Sequence, residues 1–545
     1  MATAHRENRQ PRLRHALIAA AAALGCVAVG LIATKPVQGA SHRPNIVVIL
    51  TDDQALADLY ERTRRGKKRV RVMPRTLRLF RDGGVTFRRA YASNPLSCPS
   101  RASLLTGQHS ANHRIYGNRW PGGGFCADAG RIDLSRSLPV WLQSAGYRTR
   151  HYGRFLNGWG VQDETRVPPG WDTWVNAVDT STAPAALFFG YHLNENGVVS
   201  PQYGPRNGRD PDDYFTDVIS SKANVELLNS GTAQPFFLSI DHRAPHEDLA
   251  PPIGPEPAPR HAGTMKRKLP RRPPSFNEAN VRDKAPYLRL SRPLTRGQID
   301  AIRRRNARRL RSLRSVDDWV GYLFKSLEAI GELDHTYVIF MSDHGFLNGE
   351  HRFTKGKRRP YEPATRIPLL ITGPGIPRGR VSRELVSNVD IVPTILELAG
   401  ASPNRVQDGR SLLPFARAPR KRTTRPILLE SYYGRFTLDP EAEVGEGKGK
   451  RLKAPPAPTP KTWKAIIAGR WKLIRYSKRI FELYDLKRDP HELRSLARKR
   501  RYRPVVNYLF RRLRKLAKCR GSDCRAQIKV PRVPRRPRGR SGGSA

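Results

Sequence analysis

Short apolar runs alternate with helical patterns along the chain. Four runs rich in Val, Ile, Leu and Phe lie at residues 45–51, 236–240, 337–341 and 368–372. Continuous runs of this kind are typical of strands that are buried on both faces of a sheet. Over residues 310–330, apolar side chains three or four positions apart predict an amphipathic helix. The pattern predicts an α/β fold in which helices sandwich a mainly parallel sheet.

Changes in composition divide the chain further. A break rich in Pro and Arg near residues 414–426 precedes apolar runs at 463–476 and 481–486, which predict the short strands of a small α+β subdomain. The last residues are mostly Arg, Pro, Gly and Ser, a composition typical of disorder. The predicted parts are an N-terminal segment 1–40, a catalytic domain 44–415, a C-terminal subdomain 416–525 and a basic disordered tail 526–545.

The N-terminal segment predicts export. Four arginines precede a small and apolar stretch at residues 16–33, and the small residues Gly39 and Ala40 end the segment. This order matches a secretory signal peptide, although the stretch is also long enough for an uncleaved membrane anchor. We expect a secreted or cell-surface protein on either interpretation, because no second apolar stretch of that length follows.

Four cysteines follow the N-terminal segment: Cys98, Cys126, Cys519 and Cys524. In an oxidising compartment an even number predicts two disulfides, and four cysteines allow three connectivities. Pairing of neighbours along the chain, 98 with 126 and 519 with 524, is the simplest of the three.

The chain is strongly basic, with 99 Lys and Arg against 47 Asp and Glu and a formal charge of +52. The sequence contains no finger, RRM or KH pattern, so it predicts no specific nucleic-acid partner. Two explanations stay open: a polyanionic substrate, concentrated by the basic stretches 266–272 and 303–314, or a compositional bias toward Arg.

Two acidic clusters follow two of the predicted strands directly. Asp52 and Asp53 come after the first run, and Asp343 and His344 come after the third. In an open α/β sheet, functional groups gather beyond the carboxyl ends of the strands. Adjacent carboxylates repel each other unless a cation holds them, and oxygen ligands favour Ca²⁺, with Mg²⁺ as the alternative. The clusters therefore predict a metal site.

A third segment, Ser97-Cys98-Pro99-Ser100-Arg101 followed by Leu105-Thr106-Gly107, predicts a loop that enters a helix, whose N-terminus favours anions. This segment resembles the signature of the type I sulfatases of the alkaline-phosphatase superfamily. The acidic clusters resemble the calcium ligands of that family, and residues 388–394 and 483–490 resemble its later landmarks. The resemblance covers about residues 44–495 and is strongest to members similar to N-acetylglucosamine-6-sulfatase.

The resemblance implies an alkaline-phosphatase-like sulfatase fold and an enzyme that hydrolyses a sulfate monoester, on a glucosamine-type saccharide. It also implies a formylglycine at the first position of the signature, made by a maturation enzyme. That position is Ser97, where most members have Cys. In the family, radical-type maturation enzymes convert serine, whereas the oxygen-dependent enzyme requires cysteine. Partners implied are therefore a sulfated saccharide and a formylglycine-generating enzyme.

Site residues follow from the same resemblance. Arg101 would hold the oxygen of the nucleophile and the metal shell, His246 would contact the sulfate or protonate the leaving alcohol, and Lys357 would bind sulfate. Arg154 would replace a lysine of the family. The implied sets are Ser97, Arg101, Arg154, His246 and Lys357 for catalysis, Asn157 and Arg358 for substrate binding, and Asp52, Asp53, Ser97, Asp343 and His344 for the metal.

Three interpretations stay open beside this one. A pair of carboxylates at Asp317 and Asp318 is expected to be solvated or to cap a helix rather than to bind metal. A metal-dependent phosphatase or phosphodiesterase could use an unmodified Ser97 with two zinc ions, but it would need further histidines near the Asp clusters, which the sequence does not show. A non-catalytic polyanion-binding protein would also account for the charge.

Overall fold

The computed structural model describes residues 43–532, except 66–67, 119–131, 180–187, 206–207, 209, 230–232, 249–253, 266–271, 433–461 and 477–478. The predicted N-terminal segment 1–40 and residues 533–545 of the predicted tail therefore lie outside the described residues. Among the described helices, none is both long and apolar enough to cross a membrane.

The four apolar runs form strands, and all four are neighbours in one sheet. The strands are β1 (Asn45–Thr51), β2 (Arg62–Arg65), β3 (Lys68–Arg71), β4 (Val85–Tyr91), β5 (Arg148–Gly153), β6 (Thr173–Ala177), β7 (Leu193–Glu195), β8 (Val198–Val199), β9 (Phe236–Asp241), β10 (Thr336–Ser342), β11 (Leu369–Thr372), β12 (Arg380–Ser387), β13 (Ile427–Tyr432), β14 (Thr462–Ala468), β15 (Trp471–Arg475) and β16 (Phe481–Asp485).

Ten strands make a mixed sheet in the order β12-β4-β11-β10-β1-β9-β5-β6-β7-β8. β10, β1, β9, β5 and β6 run parallel, and β12 is parallel to β4. β11 is antiparallel to both of its neighbours, and β7 is antiparallel to β6 and β8. The prediction of a mainly parallel sheet is confirmed.

Helices cover both faces of this sheet. They are α1 (Leu56–Leu59), α2 (Pro74–Thr76), α3 (Ser97–Thr106), α4 (Ser110–His113), α5 (Leu138–Ser144), α6 (Phe215–Asn229), α7 (Pro259–Ala262), α8 (Pro286–Arg289), α9 (Arg296–Ala329), α10 (Glu362–Thr365), α11 (Ile391–Ala399), α12 (Leu413–Arg417) and α13 (Arg503–Leu516). A π-helical turn, Leu77–Asp82, continues α2, and short 3₁₀ turns occupy Leu134–Arg136, Pro211–Asp213, Leu333–His335, Asn388–Asp390, Arg500–Tyr502 and Gly521–Arg525.

Alternate residues of the central strands enter two different cores, because successive side chains of a strand point to opposite faces. Val47 and Ile49 of β1 pack in the core that contains α6 and α9. Ile46 and Val48 pack in the core that contains α5 and α11. This arrangement explains why β1 is apolar at every position from 46 to 50.

The helix predicted over 310–330 is the second half of the 34-residue helix α9. The first half is rich in arginine and therefore lacks the apolar signal. Thr295 and Gln298 form a capping box at its start. The carboxylate of Asp317 accepts hydrogen bonds from the backbone N–H groups of Arg75 (3.2 Å) and Thr76 (2.7 Å), so the capping role predicted for it is confirmed. It is buried, and the solvated alternative is wrong.

The C-terminal part contains a separate antiparallel sheet, β13-β14-β15-β16, covered by α13. The small sheet is confirmed, whereas the boundaries 416–525 stay a prediction. Residues 526–532, predicted as the start of a disordered tail, instead pack on this sheet through Ile528 and Val530, and Trp471 Nε1 donates to the carbonyl of Pro531 (2.7 Å). The disulfide Cys519–Cys524 is present. The predicted partner of Cys98 lies outside the described residues.

Candidate active site

The two acidic clusters meet because β1 and β10 are parallel neighbours that end in register, with Thr51 opposite Ser342. Asp52 and Asp53 therefore lie beside Asp343 and His344. The backbone N–H of Asp343 donates to Thr51 O (3.0 Å), and that of Asp53 donates to Asp343 Oδ1 (3.1 Å). Asp53 adopts a left-handed conformation (φ 68°), in which the chain turns sharply after the strand. The predicted meeting of the two clusters is found.

Ser97 is the first residue of α3 and lies against these strand ends. Its Oγ is 3.2 Å from His344 Nε2 and 3.3 Å from Lys357 Nζ. His344 Nδ1 lies 3.0 Å from the carbonyl of Gly345, to which it donates, so Nε2 is the nitrogen that accepts the hydroxyl proton of Ser97. A fully buried serine with a base on one side and an ammonium on the other is suited to nucleophilic chemistry.

Arg101 links the carboxylates of three strands. Its guanidinium donates to Asp343 Oδ2 (3.2 Å), Asp241 Oδ2 (3.2 Å) and Asp52 Oδ2 (3.4 Å). Arg154 donates to the same oxygen of Asp52. These direct contacts with carboxylates support the prediction that Arg101 holds the metal shell. Its predicted hold on the nucleophile's oxygen stays a prediction, as does sulfate binding by Arg154.

Lys357 and His246 complete the pocket around Ser97. Lys357 Nζ lies 3.1 Å from Asp53 Oδ1 and 3.3 Å from His246 Nε2. His246 Nδ1 donates to the carbonyl of Glu247 (2.6 Å), which leaves Nε2 facing the site, 3.7 Å from Asp53 Oδ2. Of the adjacent cations Lys357 and Arg358, Lys357 is the one whose side chain contacts residue 97.

Arg358 and Asn157 are the two residues for which the resemblance implied substrate binding. Arg358 is buried and has a left-handed backbone (φ 64°). Its N–H donates to Pro95 O (2.9 Å), and its carbonyl accepts from Trp463 Nε1 (2.8 Å). Asn157 follows Arg154 in the loop after β5 and has a buried Oδ1 with no hydrogen-bond partner among the described residues. Substrate binding by either residue stays a prediction.

Charges set the protonation of the cluster. Burial raises the pKa of Asp52, but the positive charges of Arg154, His246, Arg101 and Lys357 together lower it well below its ordinary value. The pKa of Asp53 is also lowered, because Lys357, His246 and His344 outweigh its burial. Burial and the charge of Asp52 raise the pKa of Asp343. Asp52 and Asp53 are therefore held as carboxylates.

The residues fit a divalent cation. The Oδ1 of Asp52 is buried and has no hydrogen-bond partner among the described residues, although such an oxygen is costly to leave unpaired. Ligand atoms within 4.8 Å of one another come from two groups that share this residue: Asp52, Asp53 and His246, and Asp52, Asp343 and His344. The fold brings His246 beside Asp53, so one of the Asp clusters has a nearby histidine that the sequence does not show.

Asp241, at the end of β9, is a member of the site that the sequence analysis missed. Besides Arg101 it contacts Ser239, whose hydroxyl donates to its Oδ1 (2.6 Å). Burial raises the pKa of Asp241 to about 6, although Arg101 opposes the shift. The strand-end rule that selected Asp52 and Asp343 applies equally to this residue, since it follows the run 236–240 directly.

Two family models match the chain in sequence. Residues 44–401 match the model described as Sulfatase, and residues 455–519 match the C-terminal model of N-sulphoglucosamine sulphohydrolase. The chain belongs to the sulfatase family. The second match covers β14, β15, β16 and α13 of the C-terminal part.

Several sulfatases are similar to this chain. It is 35% identical over 419 residues to the extracellular sulfatase Sulf-1 homologue of Drosophila melanogaster, covering 74% of this chain and 34% of that relative. It is 32% identical over 434 residues to human N-acetylglucosamine-6-sulfatase, covering 78% and 74%. The chain thus spans about a third of the first relative's length and about three quarters of the second's.

A solved structure shares the fold at a TM-score of 0.65 with 24% identity, covering 87% of this chain and 98% of its own. That protein was solved in complex with its substrate, D-glucosamine-2-N,6-O-disulfate. At this identity the likeness supports the fold, which the sequence analysis had predicted as alkaline-phosphatase-like.

Proposed function

We propose that this protein is an exported sulfatase that hydrolyses a sulfate monoester on a saccharide, with a divalent cation and residue 97 as the nucleophilic position. One observation carries the proposal. The side chain at 97 stands at the N-terminus of α3, within 3.3 Å of both a histidine and a lysine and beside a buried group of carboxylates. A nucleophile, candidate metal ligands and a cation that can bind oxyanions are thus gathered at one point.

The metal ligands we propose are Asp52, Asp53, Asp343 and His344, together with residue 97. Ca²⁺ is the cation we favour, with Mg²⁺ as the alternative, because the donor set is rich in carboxylate oxygens. When bound, the cation would neutralise the negative sulfate oxygens that otherwise shield sulfur from attack. Arg101 and Arg154 would hold the ligand Asp52 in place through their bonds to its Oδ2.

The chain's own cations would bind the sulfate group and move protons. Lys357 Nζ faces Ser97 and would contact a sulfate oxygen at that position. His246 Nε2 lies 3.3 Å from Lys357 Nζ, and a protonated His246 would donate its proton from this nitrogen to the oxygen of the leaving alcohol. The carbonyl of Glu247 fixes the His246 ring in the orientation that this transfer needs.

Residue 97 would work as formylglycine, which supplies two hydroxyls on one carbon when hydrated. We propose conversion of Ser97 by a maturation enzyme that accepts serine. The environment supports this role because the side chain is buried at a helix N-terminus, where backbone N–H groups favour anions.

We also propose the class of saccharide and the export of the protein. Named N-acetylglucosamine-6-sulfatases align with most of the chain, which supports a glucosamine-type sulfated saccharide. Relatives named as extracellular sulfatases and the apolar stretch 16–33 support secretion or attachment at the cell surface.

Mass analysis of the exported protein tests the nucleophile. We expect residue 97 to have lost two hydrogens in active material, and Ser97→Ala to release no sulfate. Ser97→Cys should be active when it is produced with a cysteine-oxidising maturation enzyme. Full activity of Ser97→Ala, or an inactive Ser97→Cys protein that carries a verified aldehyde, would remove residue 97 from this role.

A further inference from the structure

Three arginines of α9 do not add to the exposed basic surface that the sequence suggested. Arg305 pairs with Glu247 (3.3 Å), Arg308 with Glu256, and Arg309 with Asp58 (3.1 Å). These three charges are therefore partly neutralised by carboxylates. Of the other basic stretch, residues 266–271 lie outside the described residues. A second group of arginines, most of them outside both stretches, lines a cavity.

A cavity of about 720 Å³ lies between the β2–β3 hairpin, the segment that contains α1, and the loop after His344. Six arginines line it: Arg62, Arg69, Arg71, Arg88, Arg309 and Arg366. Two of the carboxylates in its wall pair with cations, Asp58 with Arg309 (3.1 Å) and Glu362 with Lys472 (3.1 Å) and Arg366 (3.7 Å). The six arginines outnumber the four carboxylates of the wall, Asp58, Glu61, Glu350 and Glu362.

The charges of several arginines at this cavity act together on one group, the phenol of Tyr60. Burial raises the pKa of Tyr60, while the charges of Arg88, Arg81, Arg366 and Arg71 oppose that rise. These arginines come from β3, β4 and the segments after α2 and α10. Their convergence from separate elements makes the cavity a region of positive potential rather than a run of charge along one strand.

The cavity adjoins the candidate active site. Ala55 and Leu56 in its wall follow the ligand Asp53 almost directly, and Phe346 follows His344 by two positions. Arg309 connects the two regions, since its guanidinium donates to Asp53 O (2.6 Å) and lies over the Phe346 ring, 4.3 Å from the centroid. Arg309, which lines the cavity, thus contacts the backbone of a proposed metal ligand directly.

We infer that this arginine-lined cavity binds a second sulfate group, carried by a neighbouring unit of the saccharide chain whose first sulfate occupies the active site. Guanidinium groups bind tetrahedral oxyanions through paired N–H donors. The volume lies within the range of about 300–1,000 Å³ that is common for ligand sites. The inference rests on the proposed function and adds to it that the preferred substrate bears more than one sulfate.

Binding to a protein that cannot turn over tests this inference separately from catalysis. In the Ser97→Ala background, titration calorimetry would compare a multiply sulfated, heparin-derived tetrasaccharide with a monosulfated saccharide of the same length. The test variants are Arg69→Gln/Arg71→Gln in the hairpin and Arg88→Gln on β4. Should the hairpin variant unfold, Arg88→Gln provides the same test from another element. Arg304→Gln, exposed on α9, is the matched control.

We expect each test variant to raise the Kd of the multiply sulfated tetrasaccharide about tenfold, because charge-assisted bonds are lost. The Kd of the monosulfated saccharide should change at most twofold, as should both Kd values in Arg304→Gln. The inference is overturned if the two saccharides weaken equally, if only the Kd of inorganic sulfate changes, or if a DNA oligonucleotide of equal charge weakens by the same factor.

Turnover assays separate the two proposals. If the wild-type protein releases no sulfate from any monoester, the proposed function fails, while the binding result still decides whether the cavity recognises a second sulfate. If sulfate is released, the ratio of kcat/KM for the tetrasaccharide to that for a small aryl sulfate should fall about tenfold in the test variants. An unchanged ratio would contradict the inference.

Discussion

Lys357 is the side chain on which the contacts of the candidate site converge. Its ammonium lies 3.1 Å from Asp53 Oδ1 and 3.3 Å from both Ser97 Oγ and His246 Nε2, in a buried pocket. In such surroundings a charge acts more strongly than it would in water. The resemblance implied sulfate binding by Lys357 and substrate binding by its neighbour Arg358, and the contacts favour Lys357 as the cation that faces residue 97.

We therefore predict different effects for the two neighbouring cations. Lys357→Gln should lower kcat for a sulfate ester about 100- to 1,000-fold, because one preorganised charge on the developing anion is lost. Arg358→Gln should act mainly on stability, since the Arg358 side chain is buried. Steady-state kinetics and thermal melts of both variants measure this. If Arg358→Gln loses more kcat than Lys357→Gln, the assignment is reversed.

The acidic residues allow a second prediction at this scale. Asp53→Asn should bind no metal, and its kcat should fall at least about 100-fold. This loss is larger than is typical when the changed residue only supports a metal ligand. Asp318→Asn is the matched control, because that carboxylate pairs with Arg260 and His261 away from the site.

Elemental analysis of the purified proteins, with activity measured in parallel, provides the readout. One calcium or magnesium ion per wild-type chain is expected. Two zinc ions per chain would favour the two-metal phosphatase alternative, and full metal content in Asp53→Asn would remove Asp53 from the ligand set.

At the scale of elements, the small C-terminal sheet supports the loop that carries Lys357. Trp463 of β14 donates through Nε1 to the carbonyl of Arg358 (2.8 Å). Buried Lys472 of β15 pairs with Glu362 at the start of α10 (3.1 Å) and with Glu492 after β16 (2.8 Å). The sheet therefore holds the segment that carries Lys357 through buried polar contacts.

We predict that Trp463→Phe lowers kcat severalfold with little change in KM, because the loop loses a bond that orients Lys357. The free energy of unfolding should fall by about 1–2 kcal/mol, the cost of leaving a buried carbonyl unpaired. Trp471→Phe offers a matched control in the same sheet, since its Nε1 donates to Pro531 O (2.7 Å), in the C-terminal extension. Equal loss of kcat in both variants would show a general effect of stability instead.

At the scale of the whole molecule, local sequence signals predicted the parts but not how they meet. The apolar runs at β1, β9 and β10 and the acidic residues after them follow from strand burial alone. Arg101 is different, because its partners Asp52, Asp241 and Asp343 lie 49, 140 and 242 positions away. Such contacts depend on strand order, which periodicity does not encode. The antiparallel direction of β11 was missed for the same reason.

Buried histidines make the stability of the whole fold depend on pH. His113 accepts from the Ile115 N–H at Nδ1 (3.1 Å) and lies 3.1 Å from Ser103 Oγ at Nε2. Burial, assisted by His109 and Arg405, lowers the pKa of His113 to about 3. Below about pH 6.5 the unfolded chain therefore takes up a proton that the folded protein refuses. Stability is complete above that pH and is lost as the pH falls toward about 3.

For this one group we predict a loss of about 2 kcal/mol in the free energy of unfolding between pH 7 and pH 5. Urea titrations at both pH values measure it. In His113→Asn the difference between the two pH values should shrink by that amount, whereas His335→Asn, at an exposed position, should behave like the wild type. An unchanged pH dependence in His113→Asn would show that His113 titrates alike in both states.

The central claim is that this molecule hydrolyses sulfate monoesters with the help of a bound divalent cation. The most direct measurement is a screen of sulfate and phosphate monoesters with the purified, exported protein, with and without a chelator. We predict release of sulfate from glucosamine-type sulfated saccharides, little release of phosphate, loss of activity with the chelator, and recovery with Ca²⁺ or Mg²⁺. Faster release of phosphate than of sulfate, or sulfate release that the chelator leaves intact, would contradict the account.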